Sequence, residues 1–213
     1  MHSAMLFSDD AGDVSQARSR FSPPDNEAPA AVAVSGVIGR SADAAILLVG
    51  LARYTNGLAI DLAVRRRLDP EPTDQMYAPG DAGLLVGVEL ADGRAVVAGQ
   101  AGWGSWPDAD EPVLAHRSGG GGGREWSSSL WLTPAPPPGD LVVVVASAAL
   151  GIDESTLTVG AEALLEATGR AEVLWPREPD QAQPAVRPIP VVVPRGGWFE
   201  RAFDAAPTDE PPG

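Results

Sequence analysis

The stretch that decides the fold is Trp126–Leu150, WSSSLWLTPAPPPGDLVVVVASAAL. Its first half alternates. Trp126, Ser128, Leu130 and Leu132 fall on one face of an extended chain, and Ser127, Ser129 and Trp131 on the other, the period-two pattern of a strand. Pro134 ends that strand because proline lacks the N–H a ladder needs. Pro136-Pro137-Pro138 favours a stiff extended geometry, and Gly139-Asp140 closes a turn. The second half, Leu141 to Ala146, has no polar face, which predicts a central strand covered on both sides, with Gly151 breaking it. Read together, the two halves predict a central hairpin.

Working outward, Ala45–Tyr54 and Leu58–Arg67 flank Thr55-Asn56-Gly57, and Asn-Gly is a turn pair that tolerates positive φ. Leu58, Ile60, Leu62 and Val64 share one face, while Ala59, Asp61, Ala63 and Arg65 share the other. The pattern recurs downstream: Leu84, Val86, Val88 and Leu90 alternate with Leu85, Gly87 and Glu89 before Asp92-Gly93 turns the chain into Arg94–Ala98. Ala30–Gly39 reads as a first short strand and Ser155–Val159 as a late one, with an edge strand at Glu172–Trp175. Gly160–Thr168 is rich in helix formers, and Gly169 stands where a left-handed C-cap belongs. Repeated hairpins with their own turn signals argue for antiparallel pairing rather than βαβ units. The fold expected is all-β and mainly antiparallel: an immunoglobulin-like β-sandwich of seven to eight strands with one short helix. The domain spans 30–176, between a disordered arm (1–29) and a Pro-rich, mostly disordered tail (177–213).

Composition narrows function by exclusion. The chain of 213 residues has 44% hydrophobic and 21% charged residues, values of a globular protein. Its net charge is −14 and all 15 of its lysine-or-arginine cations are arginine. An acidic surface repels nucleic acid and anionic lipid, so neither is an expected partner. Cysteine is absent, which removes disulfides, thiol catalysis and thiolate zinc sites. The run Leu141–Leu150 is about half the ~20 residues a spanning helix needs. No secretory leader is visible, and a cytoplasmic location is expected.

Residues 99–125, GQAGWGSWPDADEPVLAHRSGGGGGRE, break the pattern: eight glycines, two tryptophans and no apolar period apart from Val113-Leu114. Long segments of this kind are usually functional or disordered. Gly102-Trp103-Gly104-Ser105-Trp106 lacks the strand-to-helix setting of a hydrolase elbow. Asp108, Asp110 and Glu111 cluster as calcium ligands do, but without the glycine and terminal glutamate of an EF-hand loop. Gly119–Gly123 lacks the Lys-Ser/Thr ending of a phosphate loop and reads as a flexible connector. Nothing in the pattern calls for a metal or a cofactor. Trp126, Trp131 and Trp175 lie on strand segments, where packing is the default. Trp103 and Trp106 in a Gly-rich loop, with His116, Arg117 and Arg124, are the candidate ligand or partner contacts.

A Gly-run before Arg124-Glu125-Trp126, an aromatic strand, PAPPPG, LVVVV and ALGI together resemble a family of small uncharacterised proteins of GC-rich actinobacteria. The resemblance covers residues 31–176 and implies no activity, so no catalytic role comes with it. Three readings follow. The first is a non-catalytic intracellular binding or interaction module presenting the 99–125 loop to a protein partner. The second is a hydrolase using His116 with Asp108, Asp110 and Glu111. The third is a structural subunit that associates with copies of itself.

Overall fold

A computed structural model describes residues 21–69, 83–99, 108 and 110–177. In chain order these form β1 (Glu27–Ala28), β2 (Ala30–Val32), β3 (Gly36–Arg40), β4 (Ala44–Arg53), β5 (Leu58–Arg66), β6 (Leu85–Glu89), β7 (Ala95–Val97), β8 (Val113–Gly122), β9 (Glu125–Thr133), β10 (Leu141–Ser147), β11 (Ile152–Val159), α1 (Ala161–Thr168) and β12 (Glu172–Val173). Every strand pairing is antiparallel. Twelve strands among the described residues exceed the seven to eight expected. Several are two- or three-residue pieces that leave no period in a sequence.

One sheet has the order β2–β4–β5–β9–β8, with β3 also on β4; a second has the order β11–β10–β6–β7; β1 and β12 pair by themselves. A single apolar cluster joins the two larger sheets. It takes Ile46, Leu48, Ile60, Leu62, Leu130 and Leu132 from the first, and Val86, Val88, Leu141, Val143 and Val145 from the second. The alternating faces of β5, β6 and β9 point their apolar residues into this core, as the period requires. Among the described residues no helix is long and apolar enough to cross a membrane.

The expected central hairpin is not one. β9 lies between β5 and β8 in the first sheet, whereas β10 lies between β6 and β11 in the second. The proline segment carries the chain across the core instead of folding it back. Its last residue is also used: Asp140 Oδ1 accepts a hydrogen bond from the Ala161 N–H at 2.7 Å, capping α1 from a distance in sequence. Nor is β10 covered on both sides. Leu141, Val143, Val145 and Ser147 are buried, but Val142, Val144 and Ala146 are half-exposed beside Leu85, which is 65% exposed.

Smaller expectations also shift. Gly169 ends α1 in the right-handed region, not the left-handed one. Part of the expected N-terminal arm is ordered, since β1 pairs with β12 and the buried Asn26 donates from Nδ2 to the Trp175 carbonyl. Trp175 itself is 56% exposed and lies past the end of β12, which stops at Val173 short of the expected strand. Residues 1–20 and the tail beyond Arg177 lie outside the described residues.

Candidate functional site

The run Gly119–Gly123 is not a connector. Gly119 to Gly122 form the second half of β8, each in register with β9: Gly119 opposite Ser128, Gly120 opposite Ser127, Gly121 opposite Trp126 and Gly122 opposite Glu125. Gly123 makes the turn at φ +57°, where a side chain would be strained. The hairpin is tied to its neighbour by Arg66 N–H donating to the Arg124 carbonyl at 2.8 Å. Glycine carries no pattern of its own, so this strand is imposed by its partner β9.

A bulge sets the site's geometry. The register of β8 on β9 slips between His116 and Ser118, leaving Arg117 as the extra residue. His116 therefore lies on the same face as Leu130 yet stays exposed at the sheet edge, and Gly119, not a residue with a side chain, follows it on that face. With no Cβ at 119, the imidazole reaches diagonally to Ser128, and His116 Nε2 and Ser128 Oγ share a hydrogen bond of 2.9 Å. A Cβ at Gly119 would stand 3.0 Å from Trp126 Cζ2 and 3.2 Å from His116 Cε1.

Beneath this corner, between β6–β7 of one sheet and β8–β9 of the other, is a cavity of about 340 Å³. It is lined by Leu84, Leu85, Val86, Val97, Ala98, Gly99, His116, Trp126, Ser128 and Leu130. The Nε1 of Trp126 is buried and has no hydrogen-bond partner. Thus His116, a sequence candidate, is joined here by Trp126 and Ser128. Sequence reading missed Ser128 because its role depends on a bulge in the neighbouring strand β8, which no local signal marks.

The remaining candidates divide. Arg117 and Arg124 are exposed at the two ends of the glycine run, with Arg124 Nε 3.5 Å from Asp69 Oδ1. Trp103 and Trp106 lie outside the described residues. Asp110 offers its carbonyl to Arg94 Nη1 at 3.4 Å, and the Glu111 N–H donates to the Asp108 carbonyl. No group of three or more His, Asp or Glu side chains among the described residues could hold a metal ion.

Ser128 and His116 invite comparison with a nucleophile and its base. Ser128, however, is 4% exposed in the middle of a strand paired on both sides, so the neighbouring N–H groups belong to ladders and are not free to hold an oxyanion. The outer edge of β8, which pairs with no strand among the described residues, is chemically more available. β8 ends its sheet, and Arg117 to Gly122 are all exposed. Among the described residues the other edges are short or covered. β7 has three residues. β3 and β11 pack on each other, so closely that a Cβ at Gly39 would stand 2.8 Å from Ile152 Cγ2. β2 is backed by α1, and Arg170 Nη2 donates to the Ala31 carbonyl. Comparison with models of protein families, with curated proteins and with solved structures gives no match.

Proposed function

We propose that this protein is a non-catalytic binding module, an immunoglobulin-like sandwich in the broad sense, that takes an extended segment of a partner protein as an added strand along β8. The observation that carries this reading is that, among the described residues, no strand pairs with the outer edge of β8. Soluble proteins blunt long edge strands with charge, proline or cover. β8 has a bulge at Arg117 and then four glycines without a guarding side chain. Gly120 and Gly122 face open space, with nothing within 4 Å of a Cβ built there, so packing within the chain does not require glycine at either position. Glycine inside a strand often marks close approach of another backbone, and main-chain pairing at a sheet edge is an established mode of peptide recognition. Arg117 and Arg124 bracket the run on an otherwise acidic chain and favour a partner strand with acidic ends.

The test is a selection of random displayed peptides against the full chain, followed by hydrogen exchange of the complex. Binders that slow exchange of the Ser118–Gly122 amides and weaken with Arg117→Glu support the reading. Binders that leave those amides unchanged count against it. Protection that rises with protein concentration in the absence of peptide assigns the edge to a second copy instead.

A further inference from the structure

Resting on strand addition at β8, we infer that the segment received there is an amphipathic strand of period two. It lays an aromatic side chain over Gly119, against the edge of the Trp126 indole.

The two faces of the glycine run differ. Gly119 and Gly121 lie opposite Ser128 and Trp126, on the face shared with Leu130, whereas Gly120 and Gly122 lie opposite Ser127 and Glu125 on the other. On the first face an aromatic surface stands over bare backbone. Trp126 is opposite Gly121, yet its indole leans across to Gly119. Its Cζ2 is 3.0 Å from where a Cβ on Gly119 would be, and His116 Cε1 is 3.2 Å from the same point. The hydrogen bond of 2.9 Å between His116 Nε2 and Ser128 Oγ holds the imidazole in place. Trp126 is only partly buried. On the second face nothing lies within 4 Å of a Cβ built at Gly120 or Gly122, and β9 presents Ser127, Ser129 and Glu125. Apolar side chains of an added strand thus have a surface to cover on the first face and none on the second.

Reach decides the size of the side chain. Residues directly opposite across a strand pair have Cβ atoms about 4.5–5.5 Å apart. A residue of the added strand opposite Gly119 therefore starts about 5 Å from the empty Cβ position beside which the indole edge stands. A methyl group falls short of it. The ring of a phenylalanine or tyrosine spans that gap and covers the glycine backbone, the arrangement by which aromatic residues offset an edge glycine. Contact with the indole edge is also a favoured geometry for two aromatic rings.

Three peptides test this. The first is Glu-Thr-Val-Thr-Phe-Thr-Val-Thr-Glu, whose acidic ends suit Arg117 and Arg124. The second has Ala in place of Phe, and the third is an isomer of the first with Val, Phe and Val contiguous. Each is titrated into the full chain, and hydrogen exchange of the complexes shows whether the Ser118–Gly122 amides are protected. The first peptide should bind more tightly than either other, by about fivefold over the alanine peptide, the worth of one aromatic pair. Its ring should give nuclear Overhauser contacts to the Trp126 ζ2 proton, and Trp126→Leu should erase the preference for Phe over Ala. The Overhauser contact is read on the wild-type chain and so decides even if that variant folds poorly. Protected amides with equal affinity for the Phe and Ala peptides, with equal affinity for the contiguous isomer, or with no ring contact to Trp126 would overturn this inference and leave strand addition standing. Failure of all three peptides to protect those amides would overturn both.

Discussion

Gly57 and Trp131 are fitted to one another: a Cβ at Gly57 would lie 2.4 Å from the indole Cζ2 and 2.6 Å from the Leu132 carbonyl oxygen. The glycine of the Asn56-Gly57 pair is therefore required by a close approach, and its φ lies outside the left-handed range expected from turn chemistry. Trp131 is fully buried and meets Tyr54 edge-on, the ring centroids 5.4 Å apart at 80°. Gly57→Ala should cost about 1–3 kcal/mol through overpacking. In a Trp131→Phe background the same change should cost less. Chemical denaturation of the four variants checks both statements, and additive costs would disprove the fit.

The glycine strand makes a sharper contrast within itself. Gly120→Ala points a methyl into open space and should stabilise by about 0.5–1 kcal/mol, since alanine loses less freedom on folding. Gly121→Ala should destabilise, because its φ is +155° and a Cβ would meet the Glu125 carbonyl oxygen at 2.3 Å. Thermal melts of the two variants moving in the same direction would contradict the β8–β9 register.

Leu62 and Asp61 are neighbours with opposite roles. Leu62 is buried in the shared core and Asp61 is exposed. Leu62→Asp places a carboxylate without a partner among hydrocarbon and should remove more than about 4 kcal/mol, enough to unfold the domain. Asp61→Asn should stay within about 0.5 kcal/mol of the parent. Circular dichroism and urea unfolding distinguish the two.

Arg53, at the end of β4, is only 8% exposed, and neither Nε nor Nη1 has a partner. Burial lowers the pKa of its guanidinium. A buried cation without compensation is a net cost to the fold, so Arg53→Met should raise stability by about 1–3 kcal/mol. A loss of stability on urea unfolding would show that the guanidinium has a compensating role.

In the β6–β7 turn, Asp92 is held below the usual carboxylate range, first by the hydrogen bond from the Arg94 side chain, with Nε to Oδ2 at 2.8 Å. A carboxylate with a lowered folded pKa stabilises at neutral pH, and that contribution disappears as pH falls through the lowered value. The Asp92 carboxyl carbon should titrate below ~3.9 by NMR and return toward it in Arg94→Gln. An unchanged midpoint in the variant would remove Arg94 as the cause.

What the sequence revealed was local. Asn56-Gly57 and Asp92-Gly93 marked two hairpins, and alternation at Leu58–Val64 and Leu84–Leu90 marked which residues face the core, because turn chemistry and a period of two act over a few residues. The all-β, antiparallel class follows from those alone. Partner choice does not. An apolar strand such as Leu141–Ala146 carries no sign of which sheet it joins, and the half-exposure of Val142 and Val144 depends on what lies over them. Gly119–Gly122 carried no strand signal because glycine has no side chain to alternate. Likewise, His116 was visible as a lone histidine, but its pairing with Ser128 needed a bulge at Arg117 that sequence does not announce.

The passage of the chain from β9 across to β10 bears on how the molecule comes apart. The chain lays down β2–β5 in one sheet, β6 and β7 in the other, then returns for β8 and β9 and leaves again for β10 and β11. Cutting between Pro134 and Gly139 would thus leave the first sheet whole in one fragment but divide the second, separating β6 and β7 from β10 and β11. Each would need the other to close its core. Such mutual dependence makes unfolding an all-or-none event for the sandwich, with no half that persists after the other has melted.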